Sequence, residues 1–115
     1  FDRTQYLFNG KQYGKGRLVL AVLKHHLIVN EDYSYQKLEK DFPRELQGSQ
    51  GVFAQLDKAM EIRDRTGYKR HFLDIDDLLE VENVKIAVSK EWGKKNIENF
   101  LKRCKELNYT IIVPE

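Results

Sequence analysis

The apolar positions of this chain change period several times, and each change predicts an element. Between residues 4 and 14, Tyr6-Leu7-Phe8 and Lys11-Gln12-Tyr13 flank Asn9-Gly10. That dipeptide most readily takes the positive φ angles of a type I′ turn, so a β-hairpin is expected. From Arg17 to Val29, Leu20, Leu23 and Leu27 recur at helical spacing, and Val19, Val22 and Val29 widen the stripe, which predicts a central helix. Asn30-Glu31-Asp32 ends it. Ser34 is the expected N-cap of a second helix whose Tyr35, Leu38 and Phe42 share one face and which Pro43 stops. Gly48-Ser49-Gln50-Gly51 reads as a turn, after which Val52, Phe53, Leu56, Ala59 and Met60 predict the inward side of a third helix, opposite Gln50, Ala54 and Lys58.

Thr66-Gly67 breaks that helix. Arg70 to Leu73, and Val84, Ile86 and Val88 alternating with Lys85, Ala87 and Ser89, predict two strands of a hairpin. The intervening Ile75 to Val81 fits either a loop or one helical turn. Ile97, Phe100, Leu101, Cys104 and Leu107 mark a fourth helix with Asn108 as its left-handed cap, and Tyr109 to Val113 read as a closing strand before Pro114. With 115 residues and 41% hydrophobic composition, these elements suit one α+β domain with a single core.

The succession of helix, helix, turn, helix and two-stranded hairpin resembles winged helix-turn-helix DNA-binding domains. Tyr35, Leu38 and Phe42 look like the positioning helix, Ser49 like the cap of the recognition helix, and Val52, Leu56 and Met60 like its inward face. The resemblance implies a helix-turn-helix over residues 17–63 and a wing over 70–89. The hairpin at 4–14 and the helix and strand at 93–113 are then additions, and the connection from Pro43 to Gly51 is longer than the usual tight turn of ~3–4 residues. Trp92-Gly93-Lys94-Lys95-Asn96-Ile97, followed by Phe100 and Tyr109, is also similar to small modules of bacterial restriction and defence proteins. That similarity implies a DNA-recognition module positioning an activity that lies elsewhere in a larger protein.

Charge distribution says where a polyanion could dock, although the formal net charge is only +2. Residues 1–30 carry Arg3, Lys11, Lys15, Arg17 and Lys24 against Asp2, and residues 63–72 carry Arg63, Arg65, Lys69 and Arg70 against Asp64. Residues 73–91 are acidic, with Asp74, Asp76, Asp77, Glu80, Glu82 and Glu91 against Lys85 and Lys90. Under the resemblance, Gln50, Ala54 and Lys58, edged by Gln55, would face bases of double-stranded DNA, amides being suited to adenine and the small Ala54 permitting close approach, with Ser49 at the DNA-facing start of the helix. Arg63, Arg65, Lys69 and Arg70 would clamp phosphates, with Lys11, Lys15 and Arg17 as a second patch. The same side chains also fit a solvated surface paired with acidic neighbours. Lys94 and Lys95 open a helix beside Trp92, which suits either an anion site or a core tryptophan with two solvated lysines.

Catalytic signatures are missing from the sequence, and neither an enzyme activity nor a cofactor is expected. Glu82-Asn83-Val84-Lys85 is one residue too long for the strand motif of a metal-dependent nuclease, and Asp74, Asp76 and Asp77 lack the remainder of a calcium loop. His25 and His26 are adjacent, so on a helix they point about 100° apart and cannot chelate as an i, i+4 pair would. Cys104, the single cysteine, forms no internal disulfide and lies on an apolar helix face. A reducing, cytoplasmic setting and no membrane partner are expected, and the opening Phe1-Asp2-Arg3-Thr4 reads as the start of a piece of something longer. The competing expectation is a protein-interaction module whose acidic hairpin or Tyr33-Ser34-Tyr35 edge binds another protein or another domain of the parent chain.

Overall fold

In the computed structural model, which describes residues 2–114, Asn9 and Gly10 have φ angles of 50° and 81° and turn the chain between β1 (Tyr6–Phe8) and β2 (Lys11–Tyr13). Tyr6 pairs with Tyr13 and Phe8 with Lys11, so these four side chains share one face of the hairpin. That face packs on α1 (Lys15–Val29), whose Leu18, Val19, Leu20, Val22 and Leu23 are buried along its length. The core continues through Leu38 and Phe42 at the end of α2 (Tyr35–Asp41) to Ile97 and Phe100 of α4 (Lys94–Glu106). Ser34 caps α2 as expected, its hydroxyl accepting the Lys37 N–H at 3.0 Å, and Asn108 takes φ 67° after α4.

The region expected to be a helix-turn-helix is built differently. After a 3-10 turn at Arg44–Leu46, Gly51 at φ 74° directs the chain into a strand, β3 (Phe53–Gln55), and α3 (Leu56–Thr66) starts only after it. β3 pairs antiparallel with β5 (Val84–Val88), Ala54 opposite Ala87, which commits the backbone groups that a longer helix would have used internally. Ser49 therefore caps no helix, Gln50 lies in the turn, and Ala54 lies in the strand. Only Ala59 of α3 is buried, whereas Met60, expected inside, is 39% exposed.

The second hairpin is also shifted. β4 is Leu79–Val81, inside the stretch read as loop or helical turn, and it meets β5 across Glu82-Asn83, both left-handed at φ 51° and 64°. Ile75–Asp77 forms one 3-10 turn, and Arg70 to Leu73 contributes a single bridge, His71 opposite Ser89, instead of a full strand. Likewise the closing strand reduces to one antiparallel bridge between Ile112 and Leu7, on the side of β1 away from β2. The described residues form an α+β fold of four α-helices with two small antiparallel sheets, β1-β2 and β3-β5-β4. Among the described residues no helix is long and apolar enough to cross a membrane.

Candidate nucleic-acid interface

Basic residues far apart in sequence meet where the His71–Ser89 bridge joins the amino end of α1. The Lys90 N–H donates to the Arg70 carbonyl at 3.0 Å, which sets Lys69-Arg70 beside Lys90. Lys90 in turn stands against Gly16: its Cα is 3.5 Å from where a Cβ on that glycine would sit, an ordinary contact, while the Phe72 ring at 3.1 Å is the neighbour that would have to shift for a larger residue. Gly16 lies between Lys15 and Arg17 in the first turn of α1, and Lys94 and Lys95 open α4 shortly after Lys90. Three of these cations are engaged, Lys15 by Asp2, Arg17 by Asp77 at 2.8 Å and Arg70 by Glu91 at 2.6 Å. Lys69, Lys90, Lys94 and Lys95 are exposed and have no ion-pair partner among the described residues. Exposed ion pairs contribute little, so a phosphate could displace those that exist.

The rest of the expected surface disperses. Arg63 is held by Asp64 and Arg65 by Glu61, each at 3.0 Å, and Lys58 approaches Glu61 at 3.4 Å. With Asp57 also exposed, the solvent side of α3 alternates in sign. Gln55 ends β3 as the residue preceding α3, apart from Gln50. The exposed β4–β5 tip reaches the start of α2, the Glu82 carboxylate accepting the Tyr35 N–H at 2.5 Å, and Glu80 opposes Lys85 across the hairpin. At the start of α4, Asn96 Oδ1 accepts the N–H of the N-cap residue Gly93 at 2.7 Å, and Gly93 has no side chain to cap the N–H groups of the first turn. Trp92 is partly buried, its indole N–H donating to the Ser89 carbonyl at 2.9 Å and its ring standing edge-on to Phe100. Sequence runs pointed to Lys69-Arg70 and Lys94-Lys95, but the addition of Lys90 requires the nonlocal bridge.

One polar cluster and one isolated histidine lie inside the molecule. His26, 5% exposed, meets Asp41 Oδ2 at 2.9 Å and the Tyr33 hydroxyl at 2.8 Å through Nε2, and the Tyr109 hydroxyl through Nδ1. Lys37 and Arg103 approach the other Asp41 oxygen at 3.4 and 3.9 Å. These contacts tie the last turn of α1 to α2 and to the chain after α4. His71, 1% exposed, is the opposite case, since neither ring nitrogen has a hydrogen-bond partner among the described residues. Burial holds its pKa below the ordinary 6.5, partly countered by Glu91. The unfolded chain therefore takes up this proton first as pH falls. Stability conferred by the depressed value is complete above about 6.5 and declines below it. A His71→Phe variant is expected to lose less stability than the parent between about pH 6.5 and 5, as measured by urea unfolding. Equal losses would mean that His71 protonates as easily folded as unfolded.

Among the described residues no group of three metal-ligating side chains gathers. Burial pushes the Cys104 thiol up to about 12, so it is a packing group, not a nucleophile. No family model, curated protein or solved structure matches this chain.

Proposed function

We propose that this domain is a DNA-docking module of a larger protein, holding duplex against the strip formed by Lys69, Arg70, Lys90, Lys94 and Lys95, with Lys15 and Arg17 at its margin. The observation that carries the reading is the convergence of these cations from three separate segments, through the Lys90–Arg70 hydrogen bond and the Lys90–Gly16 contact. Its mechanism is positioning: phosphate contacts fix orientation and register, and no catalytic group is required. A bacterial restriction or defence protein as the parent chain rests on the resemblance of Trp92 to Ile97 alone.

Binding to random duplex DNA at several salt concentrations tests it. Affinity is expected to fall with salt, and the Lys90→Ala/Lys94→Ala variant to flatten the logarithmic slope by about two units, close to one for each phosphate no longer neutralised. Arg63→Ala and Arg65→Ala should change the slope less, because α3 carries its own carboxylates. A larger effect from those arginines would move the interface to α3, and no salt-dependent binding would end the duplex reading.

One observation favours a protein-interaction module instead. Tyr33 and the acidic hairpin, distant in sequence, line one groove with Asp32, Glu80 and Glu82. A basic peptide captured through that groove, released by Glu80→Lys and indifferent to Lys90→Ala/Lys94→Ala, would support it.

A further inference from the structure

The β1–β2 hairpin and α1 border a second, shallow groove whose chemistry differs from that of its neighbours. Phe8, Asn9, Lys11 and Tyr13 form one wall, and Ala21, Lys24, His25 and Ile28 form the other. Among the described residues no carboxylate lines it, whereas the grooves at the β4–β5 tip, beside α4 and beside α2 contain Glu82, Glu98 and Glu39. α1 itself, Lys15 to Val29, contains no acidic residue, and Lys11 and Lys24 have no ion-pair partner among the described residues. Two ammonium groups in a concave site without counter-charge favour an anion. The aromatic ring of Tyr13 and the small side chain of Ala21 allow a flat group to approach. At about 260 Å³ the groove lies below the ~300–1,000 Å³ of pockets that hold drug-sized ligands, which suits a single nucleotide unit.

Ala21, Lys24 and Ile28 of the groove follow helical spacing from Arg17, so the groove lies on the side of α1 that carries Arg17 at its amino end, one residue after Gly16. We infer that the groove takes one unpaired nucleotide of a nucleic-acid strand, with Lys11 and Lys24 on its phosphates and Tyr13 against its base. The inference rests on the nucleic-acid reading above. It assigns the unpaired strand to α1 and the first hairpin, and the duplex to the Lys90 strip.

The test uses the whole chain with two probes, a short oligothymidylate and a blunt duplex, and the Lys11→Gln/Lys24→Gln variant. Both lysines are exposed, so the variant should match the parent in melting temperature. It should bind oligothymidylate more weakly, with a logarithmic salt slope flatter by roughly 1.4, at ~0.7 per phosphate on single strands. Replacing one thymidine by an abasic unit should weaken parent binding by roughly fivefold to a hundredfold. Ala21→Met, which adds bulk without charge, should also weaken it. If the parent does not bind oligothymidylate, or the lysine variant or the abasic probe behaves as the parent complex does, the inference is wrong. The duplex arm separates the readings: duplex binding abolished only in Lys90→Ala/Lys94→Ala leaves the strip intact while the groove fails. Oligothymidylate binding that depends on Lys11 and Lys24 without duplex binding does the reverse.

Discussion

His26→Leu is expected to cost about 3–5 kcal/mol of folding stability, a large part of the ~5–15 kcal/mol available to a domain of this kind. The cost arises less from the missing hydrogen bonds than from what stays behind. Asp41 is 5% exposed, and His26 is the closest partner of its carboxylate, at 2.9 Å, while Arg103 Nε donates to its backbone carbonyl. Lys37 at 3.4 Å has a side chain 53% exposed, and Arg103 at 3.9 Å is beyond hydrogen-bond distance of the carboxylate, so neither replaces the imidazole. The Tyr33 and Tyr109 hydroxyls also lose their common partner. Removing both His26 and Asp41 should be less harmful than the single changes suggest, because no buried carboxylate is then left unpaired. A cycle of His26→Leu, Asp41→Leu and the double variant by urea unfolding should show a coupling of about 0.5–3 kcal/mol. Additive losses, or a His26→Leu loss below about 1 kcal/mol, would mean that Asp41 is adequately solvated without the histidine.

The contrast between this cluster and the hairpins shows which parts of the structure sequence reveals. Asn9-Gly10, Ser34 and Asn108 were legible because each acts on backbone within a few residues: φ 50° and 81° at the turn, a hydroxyl reaching Lys37, and φ 67° after α4. β3 was not legible, because Val52, Phe53 and Leu56 suit a helix face as well as an edge strand. The choice between them lies with β5, more than 25 residues later, where Phe53 meets Val88. The Glu82-Asn83 turn lacked the glycine that usually marks such a loop. In the candidate interface, runs of like charge such as Lys69-Arg70 were visible, but their assembly with Lys90 and the engagement of Arg63 and Arg65 by carboxylates depend on tertiary structure. The same holds for His26 and Asp41, which no spacing rule connects.

Phe100→Ala is expected to cost about 3–5 kcal/mol, whereas Met60→Ala should cost about 1 kcal/mol or less. Both residues occupy helices with clear apolar periodicity, so the difference tests where the core lies. Phe100 is 0% exposed, stacks on Phe42 at 5.8 Å between ring centroids and receives the edge of Trp92 at 5.5 Å. Truncation there removes apolar area and leaves a cavity between α2 and α4, which close packing cannot easily refill. α3 rests on the sheet through Ala59, a side chain with little area to lose, and its Met60 already meets solvent. Leu56, only partly buried at the first position of α3, should fall between the two. Urea unfolding of the three variants at one pH gives the ranking Phe100, Leu56, Met60. If Met60→Ala were as damaging as Phe100→Ala, α3 would be rotated so that Met60 faces inward. Its outward side would then differ from the surface of Asp57, Lys58 and Glu61, and α3 would regain its place as a candidate DNA-facing helix.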